Sequence, residues 1–174
     1  MKIGAFIGKF YPPHIGHLSA IEYSLQKCDK VYIVISKNQM RNSNILSENN
    51  FLELDANLIQ DWFKKHYKNN SKIKVEVFDE TNLRPYPLDR EKWAEKFKKQ
   101  FPNVNVKIAD ESYREYNQKY FPDYEFLPID RDAIDIHSSY IRENPNKYFD
   151  YIIPEAKDYF KNLLNKGEQK WKII

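Results

Sequence analysis

The chain has 174 residues, of which 41% are hydrophobic and 30% are charged, and its 28 basic and 25 acidic side chains give a formal net charge of +3. This length suffices for one domain with a proper core, while the interspersed charges argue against a nucleic-acid-binding surface, which would show clustered basic residues. The single cysteine excludes a disulfide scaffold, and no apolar run reaches membrane-spanning length. We therefore expect a cytoplasmic protein with no nucleic-acid or membrane partner.

Five short apolar runs predict the strands of a parallel sheet: 2–7, 31–35, 73–78, 104–108 and 125–129. Apolar residues at helical spacing predict the helices between and after them: 18–28, 51–67, 89–99, a tyrosine-rich segment after 112, 139–144 and 154–164. This alternation predicts a single doubly wound, Rossmann-like α/β domain of about five strands over residues 1–174. In this fold, ligands bind at the carboxyl ends of the strands. The polar segment 37–50 is either a functional lid or a surface loop, and the sequence leaves both open.

The segment Gly8-Lys9-Phe10-Tyr11-Pro12-Pro13-His14-Ile15-Gly16-His17 joins the first predicted strand to the first predicted helix. Two prolines stiffen this turn, and Gly16 permits close approach of the backbone to a ligand. The free N–H groups at a helix N-terminus favour phosphate, and the imidazoles of His14 and His17 can donate hydrogen bonds to it. A metal site is the weaker reading of the two histidines, because no cysteine or further histidine lies near them in the sequence. The turn therefore indicates nucleotide binding.

This segment resembles the first signature of the nucleotidylyltransferase superfamily, whose members transfer AMP or CMP from a nucleoside triphosphate to a phosphate. The superfamily has a second signature of the form I-S-S-T-x-I-R. Residues 136–142, Ile-His-Ser-Ser-Tyr-Ile-Arg, are similar to it and follow in the expected order. Two separate motifs in order are far more specific than either one alone.

The resemblance implies roles for individual residues. His17 would donate to the α-phosphate of ATP and His14 to the triphosphate, while Lys9 would add positive charge. Arg142 would hold the departing pyrophosphate through a charge-assisted pair. The resemblance implies an ATP site made of Gly8, Phe10, His14, Gly16, His17, Ser138, Ser139 and Arg142. Mg²⁺ would accompany ATP, bound by phosphate oxygens and water rather than by a protein metal site.

The expected reaction explains why these residue types are suitable. A phosphate that attacks the α-phosphorus of ATP is already anionic, so no general base is needed. The protein must align two repelling anions and neutralise the charge that builds on the α-phosphate and on the leaving pyrophosphate. Histidine, lysine and arginine supply this stabilisation. Taken alone, Ser138 and Ser139 would be helix caps and Arg142 a surface ion pair, and the first motif shifts the balance towards phosphate binding.

Three further segments are similar to the NadR-type nicotinamide mononucleotide (NMN) adenylyltransferases: 8–12, 84–93 and 141–154. That family joins NMN to ATP and releases NAD and pyrophosphate. The resemblance implies an acceptor site with Tyr86 and Trp93, although Trp93 could instead pack in the core beside Phe97. The chain lacks a Walker-type GxxxxGK[ST] run, so we expect neither the kinase nor the DNA-binding domain that some family members carry.

Departures from the family pattern leave several points open. His137 replaces the first serine of the second motif. Asp110, Glu111, Asp130 and Arg131 follow predicted strands where adenosine should lie, and they are equally consistent with ordinary polar loops. The acceptor could instead be pantetheine phosphate or glycerol phosphate, or the chain could be a nucleotide sensor without turnover. The sequence also leaves open whether the chain forms a homo-oligomer.

Overall fold

The computed structural model describes residues 1–38 and 54–165. Its strands are β1 Ile3–Gly8, β2 Lys30–Lys37, β3 Ile73–Asp79, β4 Val106–Asp110 and β5 Glu125–Ile129. Its helices are α1 Ile15–Lys27, α2 Ala56–His66, α3 Arg90–Gln100, α4 Arg114–Tyr120, α5 Ser138–Glu143, α6 Pro145–Tyr148 and α7 Pro154–Asn165. Two 3₁₀ turns, Glu111–Tyr113 and Phe149–Tyr151, precede α4 and follow α6.

The strands form one parallel sheet in the order β3-β2-β1-β4-β5. The chain leaves β1 towards β2 and β3, and later returns to the other side of β1 with β4. The carboxyl ends of β1 and β4 therefore mark the point where the strand order reverses, which is where doubly wound folds bind ligands. The segment of residues 8–17 begins at this point, since Gly8 ends β1. The predicted fold class is confirmed.

Two separate cores cover the two faces of the sheet. The first core lies under α1, α2 and α7, and Ile21, Phe63 and Phe160 are fully buried in it. The second core lies under α3 and the end of α4, and it buries Phe97 and Phe121. Successive residues of β1 point to opposite faces, as strand geometry requires: Ala5 belongs to the second core and Phe6 to the first.

Several element boundaries differ from the sequence-based expectation. The strand predicted at 104–108 is observed at Val106–Asp110, because the N–H of Val104 closes a turn on the carbonyl of Phe101 instead. The helix expected over 51–67 is observed from Ala56, with Asp55 accepting a hydrogen bond from the N–H of Asn57 at 2.7 Å as its N-cap. The turn α6 and both 3₁₀ turns were not predicted. Residues 39–50, most of the segment interpreted as a lid or surface loop, lie outside the described residues, as do residues 51–53.

Candidate functional site

The first motif forms a tightly packed turn at the end of β1. Phe10 has a left-handed backbone conformation with φ of 54°, which costs a non-glycine residue about 1–2 kcal/mol. Its ring is buried and stands edge-on to the imidazole of His17, with 4.8 Å between the ring centroids, and 4.9 Å from the ring of Phe63. A Cβ on Gly8 would come within 3.1 Å of the Phe10 ring. Gly8 and Phe10 therefore shape the turn that positions His17.

His14 and His17 lie at the start of α1 as a stacked pair. Their ring centroids are 3.7 Å apart, and the ring planes differ by 26°. The backbone N–H of His14 donates to Nδ1 of His17 at 3.1 Å. Because Nδ1 accepts this bond, the neutral ring carries its proton on Nε2. His17 is therefore prepared to donate one hydrogen bond from Nε2 without first gaining a proton.

Burial keeps both histidines neutral. It lowers the pKa of His14 to about 3, with smaller contributions from the charges of His137 and Arg131. Burial also lowers the pKa of His17 well below its ordinary value, and the neighbouring His14 adds to the effect. Within the described residues, Nδ1 of His14 is buried and has no hydrogen-bond partner. Such a group costs about 1–3 kcal/mol and is typical of functional sites.

Gly16 allows the two motifs to approach each other. A Cβ at this position would lie 3.0 Å from Nδ1 of His14 and 3.1 Å from Cγ2 of Ile136, both tighter than ordinary van der Waals contacts. Ile136 is the first residue of the second motif and is itself buried. Glycine is therefore needed here for the packing of the motifs, in addition to the close approach to a ligand that the sequence suggested.

Three successive carbonyl groups of the first motif accept hydrogen bonds, two from the second motif and one from Ile153. The guanidinium of Arg142 donates to the carbonyl of Tyr11 at 2.7 Å, and the hydroxyl of Ser138 donates to that of Pro12 at 2.9 Å. The N–H of Ile153 donates to the carbonyl of Pro13 at 3.3 Å. Prolines lack an N–H and leave their carbonyls to other partners. The stiff turn is thus held from the C-terminal part of the chain.

These hydrogen bonds were not predicted from the sequence. Ser138 and Arg142 were singled out as phosphate ligands, whereas the structure shows them bonded to the loop that presents His14. Ile152 also forms an isolated antiparallel bridge with His14. The only available signal was the pair of consecutive carbonyls around Pro12 and Pro13, which need donors from elsewhere. Phosphate binding by Ser138, Ser139 and Arg142 stays a prediction.

Lys9 lies at the same end of the sheet and is half-buried. Its ammonium donates to the carbonyl of Asn38, just beyond β2, at 3.4 Å. The buried Asn38 in turn donates from its amide to Glu80 at 3.4 Å, just beyond β3. Lys9 therefore belongs to the carboxyl ends of the strands, as expected, while its role in charge stabilisation stays a prediction.

A groove of about 620 Å³ opens beside α1. Its walls are the middle of α1 and the carboxyl ends of β4 and β5 with the segments that follow them, lined by Ser19, Ala20, Tyr23, Asp110, Glu111 and residues 128–133. The structure thus brings together all four polar residues considered for adenosine, including Asp130 and Arg131. A second groove of about 350 Å³ lies near the start of β3, at the opposite end of the strands, and contains none of the predicted site residues.

The two candidate acceptor residues have different surroundings. Trp93 is half-buried in the second core, where its ring stacks parallel to that of Phe97 at 5.3 Å and stands edge-on to Phe78 at 5.3 Å. Tyr86 is 61% exposed, and the guanidinium of Arg90 lies 5.4 Å from its ring centroid. The structure therefore favours packing for at least one face of the Trp93 ring. Acceptor binding by either residue stays a prediction.

Comparison with known proteins identifies the family. The model of the cytidylyltransferase-like family matches residues 5–144, which include both motifs. The chain belongs to this family. Among curated proteins, the trifunctional NAD biosynthesis/regulator protein NadR of Escherichia coli is 27% identical over 167 residues, covering 91% of this chain and 40% of the relative. The chain thus spans less than half the length of that relative.

Solved structures share the fold. A NadR protein in complex with NAD and AMP-PNP superposes with a TM-score of 0.71 at 24% identity, covering 91% of this chain and 46% of that one. A bifunctional NMN adenylyltransferase/ADP ribose pyrophosphatase of Francisella tularensis, complexed with AMP and a manganese ion, gives a TM-score of 0.61 at 20% identity, covering 98% of this chain and 50% of that one.

Within the described residues, none of the helices has the length and apolar character of a membrane span.

Proposed function

We propose that the chain is an NMN adenylyltransferase, which transfers AMP from ATP to NMN and yields NAD and pyrophosphate. An oxygen of the NMN phosphate attacks the α-phosphorus of ATP, and the bond to the bridging oxygen of the β-phosphate breaks. The observation that carries the proposal is the neutral, backbone-oriented His17 at the point where the strand order reverses. The likeness to NadR over 91% of this chain supports NMN as the acceptor.

The proposed roles follow from the geometry. Nε2–H of His17 donates to the α-phosphate, where negative charge develops in the transition state. His17 is half-buried and fixed by its bond to the N–H of His14, so little reorganisation accompanies the reaction. Lys9 and Arg142 are cations at this end of the sheet, and we assign them to the β- and γ-phosphates together with His14. The bond from Arg142 to the carbonyl of Tyr11 holds its guanidinium beside the first motif.

The groove beside α1 is the proposed site of the adenosine moiety. It lies between the segment after β4 and the segment after β5, against the middle of α1, the helix that carries His17 near its start. Mg²⁺ arrives with ATP as part of the substrate, because triphosphates bind it through their own oxygens and water. We assign the acceptor to the aromatic surface around Tyr86 and the exposed part of Trp93. A flat cationic ring such as nicotinamide is attracted to aromatic faces.

Turnover of the purified chain tests the proposal. With ATP, Mg²⁺ and NMN, we expect NAD and pyrophosphate in equal amounts, measured by chromatography and by a pyrophosphate assay. The same mixture with pantetheine phosphate in place of NMN is the matched control for the acceptor. Turnover of pantetheine phosphate alone would assign a different acceptor. Binding of ATP without turnover of either acceptor would leave a nucleotide sensor as the function.

A further inference from the structure

His137 occupies the position before Ser138 at the start of α5. Its side chain is 25% exposed, so it is accessible to a ligand while still held by its surroundings. Its Nε2 lies 3.3 Å from a carboxylate oxygen of Asp132, whose own side chain is 82% exposed. The ring also stands edge-on to that of Tyr140, with 4.9 Å between the centroids. These contacts fix the direction in which the imidazole points.

The charged and titratable neighbours of His137 place it at the phosphate end of the site. Asp132 faces it from the loop after β5, and the charges of His137 and Arg131 both act on His14 and His17 at the start of α1. The charge of His137 contributes to lowering the pKa of both of those histidines. The adjacent Ser138 bonds to the carbonyl of Pro12 in the first motif. Three imidazoles therefore converge beside the turn to which the proposed function assigns the triphosphate.

We infer that His137 is a further triphosphate-binding side chain that donates only as an imidazolium, so that ATP binding takes up a proton. The inference rests on the proposed function, because it assumes that the triphosphate lies against this turn. The required proton comes from solvent and is retained on the ring while the phosphate is bound. No bond other than N–H is made or broken in this step.

His137 and His17 have different hydrogen-bond partners, and these partners determine which nitrogen of each neutral ring carries the proton. The backbone N–H of His14 donates to Nδ1 of His17, so the neutral ring already carries a proton on Nε2 for a phosphate. For His137, the carboxylate of Asp132 stabilises a proton on Nε2. The neutral ring then presents the lone pair of Nδ1, which repels phosphate oxygens. Only a second proton, on Nδ1, makes this nitrogen a donor.

The physiological consequence is binding that depends on pH. Because binding takes up one proton in this proposal, affinity for a triphosphate should fall as pH rises, by at most about tenfold per pH unit. A serine at this position, as in the resembling signature, would donate a hydrogen bond without taking up a proton. The replacement would make substrate binding in this chain sensitive to pH.

Calorimetric titration of ATP, and separately of inorganic tripolyphosphate, measures the proton directly. Each titration is made at pH 7.5 in two buffers that differ in ionisation enthalpy, with the full chain and with His137→Ser. We expect proton uptake by the original chain to exceed that of His137→Ser by a substantial part of one proton. The ligand's own titration is the same for both proteins and cancels in the difference. Equal proton uptake by the two proteins would overturn the inference.

Asp132→Asn supplies a second test that keeps the imidazole. The amide of asparagine can donate to Nε2, which allows the neutral ring to carry its proton on Nδ1. We expect this variant to bind ATP at pH 8 at least as tightly as the original chain, with less proton uptake. Unchanged proton uptake in Asp132→Asn would also contradict the mechanism.

If His137→Ser melts at a lower temperature, His137→Gln takes its place. Failure to bind ATP at all would reject the proposed function as well, whereas binding with equal uptake rejects this inference alone.

Discussion

The two faces of the sheet bury ionisable side chains in different ways. On the first face, His14 and His17 lie at the carboxyl end of β1, and burial keeps both neutral. On the second face, Lys107 is 4% exposed in the middle of β4, paired in register with Ala5. Its ammonium lies 4.2 Å from the ring centroid of Phe97, within a cage of aromatic side chains. The two other rings of this cage are those of Phe121 and Trp93, at 4.8 and 4.9 Å.

The comparison shows that burial and a shifted pKa do not by themselves indicate a site. Burial lowers the pKa of Lys107 to about 7, opposed by the charge of Glu80. Yet Lys107 is enclosed by rings inside a core, whereas the histidines lie where the strand order reverses and where ligands have access. Position in the fold, rather than burial, distinguishes the candidate site from the lysine enclosed in the core. Four substitutions test the assignments on the two faces, beginning with the largest expected effect.

Trp93→Ala removes a ring of the second core. We expect a loss of about 3–5 kcal/mol in the free energy of unfolding, because the ring packs against Phe97 and Phe78. If its exposed part also contacts the acceptor, KM for NMN rises together with this loss. Urea denaturation and steady-state kinetics measure the two effects.

Tyr86→Ala tests acceptor binding without disturbing the core, because Tyr86 is exposed. Base–aromatic stacking is worth about 1–3 kcal/mol, so KM for NMN should rise about 5- to 150-fold with stability unchanged. If neither variant raises KM for NMN, the acceptor does not bind at this aromatic surface. A Trp93→Ala protein with unchanged stability would refute the packing role.

His17→Ala should lower kcat by about 10²–10³, with little change in KM, because its donor acts on charge that develops in the transition state. The assay is formation of NAD from ATP and NMN. His66→Ala is the control, since His66 pairs with Glu155 at 2.9 Å, on the α2–α7 side of the first core and away from the motif. A His17→Ala protein with the original kcat would remove His17 from the mechanism.

Lys107→Met should stabilise the chain at pH 7, on the order of 1–4 kcal/mol, and leave turnover unchanged. The pKa of Lys107 is lower in the folded chain than its ordinary value of 10.5, so the unfolded chain binds the proton more tightly. Above pH 10.5, Lys107 is uncharged in both states and does not weaken the fold. As pH falls towards about 7, the unfolded chain takes up the proton first, and the folded chain loses stability.

The exposed Lys99 on α3 supplies the control, as Lys99→Met. At pH 7, the urea midpoint of Lys107→Met should be higher than those of the original chain and of Lys99→Met. At pH 9.5, this difference should be smaller. Lower turnover by a stable Lys107→Met protein would mean that Lys107 serves the site, and the contrast between the two faces would fail.

The fold was predictable because each strand is a short apolar run and each major helix has one apolar face. Ile21, Phe63 and Phe160 were all placed on inward faces from spacing alone, and all are fully buried. Boundaries were less predictable where a long-range contact decides them. The turn at Val104 moves the start of β4 to Val106, two residues after the start that local composition predicts.

The proximity of the candidate site residues was predictable, but their hydrogen bonds were not. The resemblance placed His14, His17, Ser138 and Arg142 together, and the structure brings them to one end of the sheet. The hydrogen bonds of Ser138 and Arg142 to the turn depend on chain segments more than 120 residues apart, with separations of 126 and 131. No local pattern encodes such pairs, nor does any reveal that Lys107 on an ordinary strand is buried among rings.

The central claim is that His17 acts as a neutral hydrogen-bond donor whose proton is on Nε2. Nitrogen NMR of the imidazole rings measures this directly, with His17→Gln used to assign the signals. Between pH 5 and pH 8, the account predicts that His17 remains neutral, with a protonated Nε2 and an unprotonated Nδ1, both with and without ATP. A His17 ring that becomes an imidazolium near pH 6, or that carries its proton on Nδ1, would contradict the account.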